Sequence, residues 1–259
     1  MNSDTGCLEA QFEQDKTGTY ISEHYIFHFR PESLAEKDIF LIAKIQEQSF
    51  QKICRTLRTD YSEKIHYYLA DSPLEIGRVF WTEGVPCNGC ALVWKNTIYA
   101  VYSEDIKCIG SHEDTHVIAC QIGSPQSDFL VEGLAMAMDG LWWEFPNEAW
   151  ASYYKEKYPY ISLMSLLDNE EFAAHGSPIA YPIAGAFSRY LIDVYGIELY
   201  LRLYQYDGSE YENAFHSIFS APLAKIENAF WLELRKVPYD ADLLEQKLHA
   251  ELFRTTKGT

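Results

Sequence analysis

Two histidines four positions apart, His112 and His116 in the run His112-Glu113-Asp114-Thr115-His116, are the strongest chemical signal in this 259-residue chain. On a helix, residues four apart share a face, so both imidazoles can reach one metal ion while Glu113 projects beside it. Zinc held by two histidines needs a third protein ligand and one open position for water. A neighbouring carboxylate can take that water's proton. The chemistry implied is that of a zinc hydrolase. The bland alternative is a solvated helix face with two unrelated histidines, and a third ligand is what separates the two readings.

Glu132 offers itself as that ligand. It lies in FLVEGLAMAMDG, 132 − 116 = 16 positions beyond His116, on the next expected helix, and the intervening IGSPQS reads as a turn. Leu130, Val131, Leu134 and Ala135 surround it with apolar side chains. An unpaired carboxylate is costly in such a setting, and metal ligation would satisfy it. Gly133 beside it allows close helix packing. The competing reading leaves Glu132 facing solvent on an amphipathic helix.

Other candidates are weaker. Cys87 and Cys90, with Cys108 farther on, have suggestive spacing, but a structural zinc site wants four ligands and no second cysteine pair exists. Plain thiols are the expectation. Trp142, Trp143, Phe145 and Trp150 can line a groove or, more ordinarily, fill a core. His175, in AAHGSP, is expected in a loop.

The elements that must position these residues read as α+β. HYIFHFR (24 to 30) and KIHYYLA (64 to 70) alternate apolar and polar residues as strands do, and CALVW with TIYAVY around Lys95 and Asn96 reads as a hairpin. Between the first two strands, Ser33 and Glu36 form a capping box for a helix from about 34 to 58. From residue 104 onward helices dominate, expected at 105 to 122, 128 to 140, 180 to 195, 197 to 206 and 222 to 235, with Gly123 and Gly196 as C-caps. The expected organisation is one unit over residues 1 to 259 with two lobes, 20 to 103 being α/β and 104 to 259 helical.

Composition narrows the partners. Lys and Arg number 21 against 38 for Asp and Glu, a net charge of −17, the wrong sign for a sequence-independent phosphate binder; no nucleic-acid partner is expected. No apolar run approaches the roughly 18 residues that span a bilayer. The opening MNSDTGCLEAQFEQDKTG lacks the basic start and apolar middle of a signal peptide, so the cytoplasm is the expected compartment.

HEDTH followed by FLVEGLAMAM resembles the gluzincin metallopeptidases, in particular peptidase MA-like proteins in which an Glu-Gly-Leu-Ala segment supplies the glutamate. YPIAGAFSRYLIDVYGIELYLRLY (181 to 204) is similar to the helix that follows in those proteins, and HYIFHFRPES to their first strand and helix. The resemblance implies a zincin-like fold with a small N-terminal mixed sheet and long helix, a mainly helical C-terminal lobe and an active site between them. It implies one zinc per chain held by His112, His116 and Glu132, Glu113 as general base, and a peptide or protein substrate. Tyr181 is the expected oxyanion donor, with Pro182 opening its helix. Two features depart from the family. Met136 stands where an acidic residue would orient a histidine, leaving Asp139 and Asp128 as the remaining guesses, and the Gly-x-Met-Glu-Asn motif of the aminopeptidases is missing. The alternative function is a non-catalytic descendant that keeps the fold as a metal- or partner-binding module.

Overall fold

The computed structural model describes residues 11–80 and 85–257; Cys7 lies outside them. Strand β1 (Gly18–Ile21) turns back into β2 (Tyr25–Phe29), where buried Tyr25, Phe27 and Phe29 alternate with half-buried Ile26 and His28. That period of two puts one face of the strand into a core. Helix α1 (Leu34–Leu57) follows, its first turn closed by Ser33 Oγ, which accepts the Glu36 N–H. The Glu36 carboxylate takes the N–H of Glu32, a close variant of the reciprocal capping box. The helix buries Ile39, Ile42, Phe50, Ile53 and Leu57. It is the crossover that lets β3 (Ile65–Ala70) run parallel to β2.

Helix α2 (Pro73–Phe80), β4 (Gly89–Leu92), a 3-10 turn at Val93–Lys95 and β5 (Thr97–Val101) complete a mixed sheet of order β1-β2-β3-β5-β4. β5 is parallel to β3 and β4 antiparallel to β5, which leaves β1 and β4 at the edges. One sheet face packs Tyr25, Phe27 and Tyr67 with Phe50 of α1. Another core cluster joins Phe12 and Tyr99 with Ile76, Val79, Leu92 and Val101.

Helix α3 (His112–Ala119) comes next, and the chain divides near its end into two compact units, one running to Ile118 and the other from Ala119 to Arg254. The second unit holds α4 (Asp128–Asp139), a hairpin of β6 (Leu141–Trp142) and β7 (Phe145–Pro146), α5 (Asn147–Lys157), α6 (Leu163–Leu166), α7 (Asn169–His175), α8 (Ser177–Tyr195), α9 (Ile197–Tyr204), α10 (Tyr211–Phe219), α11 (Leu223–Leu234) and most of α12 (Ala241–Lys257). An N-terminal mixed sheet with a long helix, followed by a mostly helical region, is the architecture expected from the sequence. No helix among the described residues is long and apolar enough to cross a membrane.

Several elements differ from their sequence-based expectation. The helix expected over 105 to 122 is helical only from His112 to Ala119. Ser103 and Ile106 close a turn, Tyr102 bridges to Lys107, and Gly110 sits at φ +130, so the chain bends three times before the helix starts. Helix α8 begins at Ser177, with Pro178 in its first turn, so Pro182 lies inside the helix and Tyr181 in its second turn, not at its mouth. His175 is the last residue of α7, not a loop residue. The Trp150 side chain is buried, and Trp142, Trp143 and Phe145 pack around it from the hairpin, Trp142 by accepting the Trp150 indole N–H on its carbonyl.

A charge network ties the start of the described chain to the sheet. Arg30 pairs with Asp15, Asp71 and Glu75, and the buried Lys16 ammonium with Asp15 and Glu75. Burial alone would lift the Asp15 carboxyl, but hydrogen bonds from Arg30 and Lys16 override it and hold it below its ordinary value. A folded-state value below the unfolded one adds stability that is present above about pH 4 and is lost as pH falls through the folded value. The thermal midpoint of the wild type should therefore exceed that of Arg30→Leu near neutral pH, and the gap should narrow as the pH is lowered below about 4. A gap that stays constant down to about pH 2 would contradict this account.

Candidate metal centre

Helix α3 is set by what precedes it. Gly110 adopts a conformation that side chains rarely permit, and Ser111 starts the helix by offering its carbonyl to both the Thr115 N–H at 3.0 Å and the Thr115 hydroxyl at 2.6 Å. Asp114, Thr115, Val117 and Ile118 are buried, and His112, Glu113 and His116 lie half-buried. The sequence thus separates an inward face from a face bearing the donors, as the helical period requires.

The two imidazoles meet with Nε2 atoms 3.3 Å apart and ring planes at 84°. Glu132, in the second turn of α4, completes a group in which one donor atom from each of His112, His116 and Glu132 lies within 4.8 Å of the others. Tetrahedral zinc with bonds of about 2.0–2.1 Å places neighbouring ligand atoms about 3.3 Å apart. The spacing of the two histidines therefore fits the metal, and two imidazoles plus one carboxylate form a donor set that can hold it.

Helix α4 earns its exact placement through close packing on α8. A Cβ added at Gly133 would lie 2.5 Å from Ser188 Oγ and 2.9 Å from the Ala184 carbonyl oxygen. One added at Gly185 would lie 2.5 Å from Met136 Cβ. Met136 is thus part of the helix–helix core. Ser127 precedes α4 but donates its hydroxyl to the Leu167 carbonyl, and Asn169 Oδ1 takes the Asp128 N–H in its stead. Gly140, at φ +89, closes the other end.

The remaining sequence candidates fall as follows. Asp128 and Asp139 are exposed. Burial and the negative charge of Glu132 raise the Asp128 carboxyl, so it meets Glu132 as a like charge. Tyr181 is half-buried, its ring 5.8 Å from both Phe172 and Trp142. Cys87, Cys90 and Cys108 are half-buried.

Three features were not legible in the spacing. First, Gly89 on edge strand β4 packs against the side chain of Glu113: a Cβ there would lie 2.6 Å from Glu113 Oε1 and 2.9 Å from Cys108 Sγ. Second, Asp114 is fully buried, with Oδ2 accepting from Tyr25 at 2.7 Å and from Gln46 at 2.9 Å. Burial pushes its carboxyl well above the usual range, aided by Glu113 and opposed by those two hydrogen bonds. Third, Tyr204 is buried, and burial followed by the charges of Cys120 and Glu132 raises its phenol. Glycines and isolated tyrosines carry no sequence signal for such contacts.

A second converging group, Glu23, His24 and Glu47, does different work. Glu47 Oε1 accepts from Ser22 Oγ and the His24 N–H, and Oε2 meets His24 Nδ1 at 2.6 Å. Both oxygens are occupied in clasping the β1–β2 turn to α1. No protein-family model matches the chain, and no curated protein matches it.

Substituting Gly133 by alanine gains at most about 1 kcal/mol of helix propensity. Overpacking against the Ala184 backbone costs about 1–3 kcal/mol and should win. Gly133→Ala is expected to lower the thermal midpoint, and denaturant unfolding that shows equal or greater stability would remove the close-crossing explanation.

Proposed function

We propose that the chain is a zinc-dependent hydrolase of the gluzincin kind, most simply a metallopeptidase with one zinc per chain bound by His112, His116 and Glu132. The observation that carries the reading is the convergence of two imidazoles at zinc-ligand spacing with a carboxylate from 16 positions farther along, beside a glutamate that is not in the donor group. When bound, zinc would supply a Lewis acid and bring the acidity of water into the neutral range.

Glu113 is the proton acceptor on this reading. Its place next to His112 keeps its carboxylate at the site while the ligand positions are filled by others, and it then returns the proton to the departing amine. The contact of Glu113 with Gly89 supports a peptide substrate. β4 is an edge strand beside whose outer side no other strand lies among the described residues, so an extended peptide can pair along it. A residue without a side chain at Gly89 lets such a backbone pass close to the proton acceptor. The edge expected over Cys90 to Trp94 is strand only to Leu92, because Val93 and Trp94 turn away in the 3-10 helix.

Tyr181 is proposed to donate its hydroxyl to the developing oxyanion. It sits one helical turn before Ala184, the residue that meets Gly133 beside Glu132. Packing between Phe172 and Trp142 fixes its ring in advance, which lowers the cost of holding it in place during reaction.

The reading is tested by elemental analysis together with hydrolysis of a broad peptide library. Wild type should carry one zinc, and the double change His112→Ala, His116→Ala should remove it. Glu113→Gln should keep zinc and fold while abolishing hydrolysis, because the amide preserves shape and loses the base. Zinc-loaded wild type that cleaves nothing would instead favour a binding module, and undiminished turnover in Glu113→Gln would assign the proton elsewhere.

Tyr181→Phe should lower kcat by about 100-fold with little change in KM or zinc content. Steady-state kinetics with unchanged kcat would remove Tyr181 from the mechanism.

A further inference from the structure

At about 100° per residue, His112 and His116 point about 40° apart around α3, and Asp114 points about 180° from their bisector. The side chain diametrically opposite the two donors is therefore a fully buried carboxylate. Its Oδ2 accepts hydrogen bonds from the Tyr25 hydroxyl at 2.7 Å and from Gln46 Nε2 at 2.9 Å, and its Oδ1 is buried with no hydrogen-bond partner among the described residues. Gln46 also grips the approach to the helix. Its Oε1 accepts the Gly110 N–H at 2.7 Å and its Nε2 donates to the Gly110 carbonyl at 3.1 Å. Tyr25 comes from β2 and Gln46 from α1, so the sheet and its crossover helix both hold the start of α3.

We infer that Asp114, clasped by Tyr25 and Gln46, is a positioning residue that sets the rotation of α3 about its own axis and thereby the place of the His112 and His116 donors. The inference rests on the zinc reading above and names residues behind the ligands.

Two physical considerations carry it. With donor atoms about 5–6 Å from the helix axis, a rotation of about 20° moves them about 2 Å. Zinc–ligand distances tolerate about 0.2 Å. Apolar packing is a weak guardian of that angle here. α3 has eight residues, and its buried apolar side chains, Val117, Ile118 and Ala119, all lie in the second half. In the first turn the inward group is Asp114, and hydrogen bonds are directional where apolar contact is not. Stability alone does not account for the carboxylate, since an apolar side chain of similar volume in a buried charge's place is often neutral or stabilising.

Replacement of Asp114 separates positioning from folding. In Asp114→Leu the Tyr25 hydroxyl can turn to the Gln46 carbonyl at 3.2 Å and Gln46 Nε2 keeps the Gly110 carbonyl, so each group retains one hydrogen bond. The thermal midpoint of Asp114→Leu should match or exceed that of wild type. Its zinc affinity should fall by about 10–100-fold, the range seen when groups behind metal ligands are removed. The visible absorption of the cobalt(II)-substituted protein should change in shape or intensity. Asp114→Asn, which keeps an acceptor for Tyr25 and Gln46, should restore both readouts. A folded Asp114→Leu protein with wild-type zinc affinity and an unchanged cobalt spectrum would overturn the inference. Should that variant fail to fold, Tyr25→Phe removes one bond of the clasp, and zinc affinity equal to wild type in that protein overturns it equally. Neither readout needs turnover, so the two readings fail separately. Wild type that takes up no metal defeats the zinc reading and the inference with it, whereas zinc-binding wild type with unaffected variants defeats the inference alone.

Discussion

A helix of eight residues presents two imidazole nitrogens 3.3 Å apart, and a helix that short cannot fix its own orientation. Isolated helices below about 12 residues are marginal in water, so nearly all the order of α3 is lent by what it packs against. The N-terminal unit supplies that support through β2 and α1, whose Tyr25 and Gln46 reach the one carboxylate on the inward side. Taking a carboxylate out of water costs several kcal/mol. The two hydrogen bonds on Asp114 offset part of that cost and dictate its direction, while burial still outweighs them and keeps the carboxyl raised.

The second unit meets a different constraint, the close approach of two helices. Gly133 of α4 and Gly185 of α8 each occupy a position where a methyl group would overlap a neighbour, Gly133 standing next to Glu132 and Gly185 packing on Met136 of the same helix. Small residues here bring the backbones together, and directional bonds then pin them: Asn147 Nδ2 donates to the Met136 carbonyl, and Tyr200 donates to Ser188 Oγ. The glutamate is consequently carried by a rigid helix pair, as an accurately placed ligand must be.

Charge around the donors points the same way as their geometry. Asp114 is raised by burial and by Glu113, and Asp128 by burial and by Glu132. Each helix therefore carries a like-charged pair, Glu113 with Asp114 and Asp128 with Glu132, in a chain whose net charge is already −17. A divalent cation held by His112, His116 and Glu132 would dominate the local electrostatics.

The sequence by itself determined the donor types, the alternation of β2 and β3, the cap and extent of α1 and the presence of a helix at Glu132, because each depends on spacing within a few residues. Boundaries failed where a nonlocal partner decided them. α3 starts late because Gly110 and its Gln46 clamp come from a fold the local pattern does not encode, and α8 runs back past Pro182 because packing on α4 supports a helix that proline would otherwise end. Strand β1 gains its structure from pairing with β2, since four residues have no strand signal of their own. Only the tertiary structure decided that Asp114 faces away from the donors into Tyr25 and Gln46, and that Gly89 lies against Glu113. Those partners stand dozens of positions apart, and burial, which selects them, is a property of the packed chain.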